Sequence, residues 1–267
     1  MAVELYAEQS GSGLPLVLLH AFPLDHRLWD PQRAALSGAA RVIAPDLRGF
    51  GRSPLGADEP GVDVMADDVA ALLDRLGLDR VVLAGISMGG SVAMAFARRH
   101  GDRLLGLALC DTKAAADAEP GRAKRLQTAE RALAAGAGEV GRMLREETLP
   151  GLLGDTTKRS RPAVVTRVKS IADDASPEAV AWAQRALAAR PDSMASLRAV
   201  DVPALVVVGA EDPTVTVADA DAMAAALPRG RVVVVPAAGH FTPLENPDRV
   251  SDALRGLLAE VAGPRAG

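Results

Sequence analysis

The sequence predicts an α/β protein: a mostly parallel, twisted sheet of about seven or eight strands, flanked by helices and interrupted by a helical insertion. Three observations predict it. Short apolar runs alternate with helix-period segments, as in a sheet covered by crossover helices. Several runs are continuous Val, Leu and Ile, the composition of strands buried on both faces. One long stretch, from about Thr112 to Val202, holds no such run, only Ala-rich and charged patterns at helical spacing.

In chain order, the runs that read as strands are Val3–Ala7, Leu14–His20, Arg41–Asp46, Arg80–Ile86, Leu104–Asp111, Pro203–Gly209 and Arg231–Pro236. Between the third and fourth, Met65, Val69, Leu72, Leu73 and Leu76 recur at the spacing of one helix face. The C-terminal helix repeats the pattern with Val250, Leu254, Leu257, Leu258 and Val261. Within the strand-free stretch, Ser176-Pro177-Glu178 reads as a helix start, with a capping serine and proline at the first helical position. Residues 1–111 and 203–267 are therefore expected to form one core domain, and residues 112–202 a lid over the end of its sheet. Trp182, Met143 and Met194 are expected in the packed interior of that lid. The basic cluster Lys158, Arg159, Arg161 reads as a solvated face.

Composition narrows the function. A chain of 267 residues, 49% apolar and 24% charged, buries enough surface to fold without disulfide or metal. A net charge of −4 gives no reason to seek nucleic acid or anionic lipid. The single cysteine, Cys110, cannot form an intrachain disulfide and fits a reducing compartment. Glu4 and Glu8 stand where a secretory signal would be basic and then apolar, so the expected location is the cytoplasm. The longest apolar stretch, near Leu14 to Phe22, is about half a membrane span.

The residues able to do chemistry gather around Gly85-Ile86-Ser87-Met88-Gly89-Gly90. This segment follows a buried strand and precedes a helical pattern. A serine on so tight a turn is forced into an unfavourable backbone conformation, and glycines two residues to either side avoid clashes. Its hydroxyl then stands at a helix N-terminus beside unpaired N–H groups. A nucleophilic serine needs a base, and the base an orienting acid. Of the four histidines, His100 falls at the end of the helix after Ser87 and reads as a C-terminal cap. His20 ends a strand, and His240 follows the last strand. Residues just beyond strand C-termini converge on one edge of such a sheet, which brings Ser87 and His240 together. Asp212 follows the preceding strand and reaches the same edge. The order Ser87, Asp212, His240 is that of a strand-to-helix serine triad. Asp111 also ends a strand there, but it precedes the lid and reads as a cap or hinge hydrogen bond.

Two patterns are decoys. Gly136-Ala137-Gly138-Glu139-Val140-Gly141 matches a dinucleotide fingerprint letter for letter but follows a helical pattern, not a strand. Asp67-Asp68 and Asp173-Asp174 are adjacent pairs, which point apart on a helix. No cluster has metal-ligand spacing, so no metal and no cofactor are expected.

These motifs resemble the α/β-hydrolase superfamily over nearly the whole chain. The resemblance rests on His20-Ala21-Phe22-Pro23, the segment Asp46-Leu47-Arg48-Gly49-Phe50-Gly51-Arg52-Ser53, Gly85 to Gly90, Gly209 to Asp212, and Gly239-His240. It is nearest to small esterases, lactonases and cofactor-free haloperoxidase or perhydrolase members. The resemblance implies an oxyanion hole made by the N–H groups of Phe22 and Met88, since Pro23 cannot donate. It implies wall-supporting rather than chemical roles for Asp46, Arg48 and Ser53. One departure is Ala21, where the family usually has glycine; a positive φ there would strain alanine. Serine at the turn argues against the dehalogenase and epoxide-hydrolase branches, whose nucleophile is a carboxylate.

The expected function is hydrolysis of small carboxylic esters or related acyl compounds through an acyl-Ser87 intermediate, with a small-molecule substrate as the partner. Lactone hydrolysis and perhydrolysis are alternatives on the same triad. A ligand-binding signalling receptor with little turnover is the alternative from another class. With only 3% aromatic residues to line an apolar tunnel, short acyl groups are expected to be preferred.

Overall fold

Residues 2–172 and 175–263 are described by the computed structural model of the chain. Asp173 and Asp174 lie outside the described residues.

Seven strands form a single sheet among them: β1 (Ala7–Ser10), β2 (Pro15–Leu19), β3 (Arg41–Pro45), β4 (Val81–Ile86), β5 (Leu104–Cys110), β6 (Ala204–Gly209) and β7 (Gly230–Val235). Their order is β1-β3-β2-β4-β5-β6-β7. Only β1 runs antiparallel, pairing Ala7 with Pro45 and Ser10 with Val42. The rest are parallel, in registers such as Val17 opposite Leu83, Ala84 opposite Ala108, and Val206 opposite Val232.

The first strand corrects the expectation from sequence. Val3–Ala7 is not the paired segment; pairing begins at Ala7. The alternation there reflects packing instead. Leu5 is buried in the core, the Val3 N–H donates to Asp68, and the Tyr6 N–H donates to the Ser53 hydroxyl.

Helices cover both faces. They are α1 (Asp30–Leu36), α2 (Val62–Arg75), α3 (Met88–Arg99), α4 (Glu119–Ala135), α5 (Ala137–Met143), α6 (Asp155–Ser160), α7 (Pro162–Ile171), α8 (Pro177–Ala188), α9 (Met194–Leu197), α10 (Val217–Ala226), α11 (Thr242–Glu245) and α12 (Pro247–Ala262). Successive strand residues point to opposite faces, which gives two cores. Val17, Leu19 and Leu83 pack with Met65 and Val69 of α2 and Phe96 of α3. Leu16, Leu18 and Val82 pack with Leu36 of α1 and Leu254 and Leu257 of α12. Between β5 and β6 the described chain forms α4 to α9 and no strand. At the start of α8 the Ser176 hydroxyl accepts the Ala179 N–H at 3.1 Å. Gly136 joins α4 to α5, so the glycine-rich decoy sits between two helices. Asp67 and Asp68 part company: Asp67 meets Arg99 and His100 on the surface, and Asp68 meets Arg48 inside.

Order in the sheet places the switch point between β2 and β4. From β2 the chain winds first to β3 on one side, then to β4 on the other. Loops leaving β2 and β4 part there, and crevices form at such points. The loop after β3 supports that edge. Its Arg48 is fully buried, forks onto Asp68 of α2 with two 2.8 Å hydrogen bonds, and donates to Leu55 O and Asp58. Removing one partner of a buried pair strands the other charge. Arg48→Ala is therefore expected to lower unfolding free energy by about 3–5 kcal/mol, measured by urea denaturation; a loss within error would show that Asp68 finds water instead.

Candidate active site

Ser87 sits between β4 and α3 with φ 53° and ψ −111°. A non-glycine residue in that region is strained by about 1–3 kcal/mol and persists only where its surroundings over-determine it. Here they do. The Ser87 N–H donates to Cys110 O at 2.9 Å, and its carbonyl accepts the Ser91 N–H at 3.0 Å and the Thr112 hydroxyl at 2.9 Å. The flanking glycines are required by space. A Cβ on Gly85 would lie 2.1 Å from Gly89 O, and one on Gly89 would lie 2.3 Å from Leu19 O. The turn is pressed between β2 and the first turn of α3, and only hydrogen fits.

His240 and Asp212 reach this serine from the next loops along the sheet. The His240 Nε2 lies 2.7 Å from Ser87 Oγ, and its Nδ1 lies 2.8 Å from Asp212 Oδ2. Because an ionised carboxylate can only accept, Nδ1 carries the proton and Nε2 is left to accept from the serine hydroxyl. The other Asp212 oxygen accepts from the Thr214 N–H, the Thr214 hydroxyl and the Val215 N–H. Burial on its own would raise the Asp212 pKa. The hydrogen bond and charge of His240, with the Thr214 donors, outweigh it and hold the carboxyl below the usual range.

Phe22 and Met88, the other two residues singled out in the sequence, both line the cavity above Ser87. The hydrogen bonds of their loops run from Leu24 N–H to Ala21 O and from Gly89 N–H to His20 O. Among the described residues these bonds leave the Phe22 and Met88 N–H groups uncommitted. Ala21 is not among the positive-φ residues, so alanine is unstrained there. His20 carries the loop: its buried ring bonds Ala21 O through Nδ1 at 3.0 Å and accepts the Leu47 N–H through Nε2 at 2.8 Å. Burial pushes its pKa down, so the ring stays neutral in that tautomer.

Several expectations are corrected. Asp111 neither caps the lid nor makes a hinge bond to it. It is fully buried at φ 43°, and its oxygens accept Gly209 N–H at 2.9 Å and the Thr242 hydroxyl at 2.6 Å, both in the core. Burial, then the nearby charge of Asp212, pushes its carboxyl well above the usual range. Arg161 is not a solvated residue: it donates to Ala237 O and Glu245 O at 2.7 and 2.6 Å, bracketing the histidine loop. Met143 packs in the apolar interior with Ala132, Val140 and Leu144, as expected, and also reaches the cavity wall. Trp182 joins the insertion to the core, with its indole N–H on Asp58 O and its ring 5.6 Å from the Arg48 guanidinium. His100 ends α3, its N–H on Phe96 O and its ring on Asp67.

The sequence reading missed what holds the histidine. Thr214 Oγ1 lies 2.9 Å from Nδ1, the His240 N–H donates to Leu152 O, and Glu245 accepts both the Phe241 and Gly154 N–H groups. Only Thr214 had a local signal, two residues past Asp212 in a turn. A further cluster, Asp25, His26 and Asp46, brings possible cation-ligating atoms within 4.8 Å. Arg27, the His26 ring and the Arg52 N–H already occupy its carboxylates.

The serine, histidine and loop N–H groups open onto a cavity of about 610 Å³. A strained serine at a strand-to-helix turn, on a sheet of this order, defines an α/β-hydrolase fold. The model of the alpha/beta hydrolase fold family matches residues 15–247, and the chain belongs to that family. A thermophilic esterase from Thermogutta terrifontis superposes with a TM-score of 0.92 at 43% identity, covering 97% of this chain and 94% of that one. The 3-oxoadipate enol-lactonase 1 of Acinetobacter baylyi is 25% identical over 92% of this chain and 89% of its own length. The AB hydrolase superfamily protein YisY of Bacillus subtilis is 40% identical over 99 residues, and that match spans 37% of each protein. Among the described residues no helix is long and apolar enough to cross a membrane.

Asp111 supplies a pH-dependent prediction. Its folded pKa lies above the unfolded value near 3.8, so the fold binds a proton that the unfolded chain releases. That stabilisation is complete below the unfolded value and is lost as pH rises through the folded one. Asp111→Asn cannot titrate. Its Tm relative to wild type should therefore climb as pH rises above about 4, followed by thermal melts; parallel curves would mean that the Asp111 carboxyl is not shifted.

Proposed function

We propose that the chain is a serine hydrolase of small carboxylic esters, with Ser87 as nucleophile, His240 as base and Asp212 as the residue that orients it. The observation that carries this reading is the run of 2.7 and 2.8 Å contacts from Ser87 Oγ through His240 to Asp212, open to a cavity. His240 Nε2 takes the hydroxyl proton as Oγ bonds to the carbonyl carbon. The oxyanion that forms is held by the Phe22 and Met88 N–H groups, each worth about 3 kcal/mol. Collapse breaks the bond to the leaving oxygen, which takes the proton from His240 and departs as alcohol. Water, deprotonated by His240, then attacks acyl-Ser87 and releases the acid. A lactone follows the same steps with alcohol and acid on one molecule, and the similarity to an enol-lactonase supports that second reading. Short acyl groups fit the 610 Å³ cavity and the polar side chains on its wall.

A panel of esters and lactones of graded acyl length tests the reading. Sustained release from p-nitrophenyl acetate is expected; a single-turnover burst would instead indicate a ligand-binding receptor. Ser87→Ala should lower kcat by about 10⁶ while the protein stays folded, and near wild-type turnover would exclude the serine mechanism. Asp212→Asn should keep the site's shape but favour the wrong histidine tautomer, lowering kcat about 10⁴-fold. Asp111→Asn should cost far less in the same assay, and the reverse order would move the acid's role to Asp111.

A further inference from the structure

The cavity above Ser87 has two kinds of wall. Near the serine and histidine it is apolar, with Phe22, Met88, Leu152 and Val215. Across from them, α4 presents a polar face to the cavity mouth, with Lys124 and Arg131 open to solvent. Lys124, Thr128 and Arg131 stand at i, i+4 and i+7, one stripe of the helix, with Arg125 beside it, and all four line the cavity. Lys113 and Arg190 complete that side.

The carboxylates there do not balance these cations. Asp117 is shared by two guanidiniums, Arg125 at 2.5 Å and Arg190 at 2.7 Å. Glu147 matches Arg131 at 2.8 Å. Lys113 meets Asp219, which does not line the cavity. Lys124 has no carboxylate partner among the described residues. Arg190 is nearly buried, and the fold secures it by donation to Ala115 O at 2.5 Å as well as to Asp117. Asp111, the remaining acid on the cavity, is fully buried, its oxygens are taken by Gly209 and Thr242, and burial pushes its carboxyl well above the usual range. An excess of positive charge in a partly enclosed cavity attracts an anion more strongly than it would in open water. An apolar acyl chain laid along the same wall would desolvate those cations without return.

Building on the hydrolase reading, we propose that the substrate carries a free carboxylate besides its scissile ester, as in a half-ester of a small dicarboxylic acid. The ester carbon sits at Ser87 among the apolar residues, and the free carboxylate lies against the Lys113, Lys124 and α4 arginine side.

The test pairs monomethyl esters of short dicarboxylic acids with the matching dimethyl esters. Binding is measured first, by calorimetry on full-length Ser87→Ala protein, so that the result does not depend on turnover. The half-ester is expected to bind about tenfold tighter or more, and equal or weaker binding would overturn the proposal. In wild type, the half-ester to diester ratio of kcat/KM should exceed unity and fall as salt rises from about 0.05 M to about 0.5 M. Lys113→Gln with Lys124→Gln should cut that ratio about tenfold. Arg122→Gln, on α4 but outside the cavity and paired with Glu119, should leave the ratio as it is. A ratio unmoved by the lysine pair would overturn the proposal. Selective half-ester binding without turnover of either ester would keep the anion site and remove the hydrolase reading.

Discussion

The site depends on one crowded turn. Ser87 is held at positive φ because β2, β4 and the first turn of α3 meet where a side chain on Gly85 or Gly89 would overlap backbone. That crowding aims Oγ out of the sheet edge and leaves the Met88 N–H beside it. The same packing lets the Gly89 N–H bond His20 O, which ties the loop after β2 to the helix after β4. His20 then stiffens the loop from within, as a neutral ring with one donor and one acceptor both used. The geometry around the serine is therefore set by backbone and by a histidine that takes no part in the proposed chemistry.

The segment between β5 and β6 has two mechanical characters. Residues near 149–161 are stitched to the loops that carry His240 and Asp212: Leu152 O holds the His240 N–H, Glu245 holds the Gly154 N–H, and the Thr156 N–H and hydroxyl both donate to Glu211. Helix α4 lies away from those bonds, packed on α8, and carries the cationic stripe. One part of the insertion braces the histidine, and the other faces whatever enters the cavity.

Much of this was legible in the chain because the signals are local. Continuous apolar runs marked the six parallel strands to within a residue or two, and the glycine spacing around Ser87 reported steric demands that the structure shows. The parts that were not legible depend on distant partners. Val3 and Leu5 alternate like a strand, yet Leu5 is a core contact and the ladder starts at Ala7. Asp111 looked like a lid cap because it precedes the insertion in sequence, but Gly209 and Thr242 claim it from across the sheet. Arg161 stood in a basic cluster, and nothing near it foretold the carbonyls of Ala237 and Glu245. Long-range polar contacts leave no periodicity behind.

The bond from His240 to Leu152 bears on how such a protein can diversify. Residues 149–161 are bonded directly to the loop after β7, so a change in that segment reaches the His240 backbone. Among the described residues, the cavity-facing positions of α4 bond only within the helical segment, to Asp117, Glu147 and Gln184, so a charge there can be exchanged without breaking a bond to the Ser87 or His240 loops. The stretch that supports the His240 loop and the stretch that faces the cavity are thus separate parts of the chain between β5 and β6, each able to change without the other.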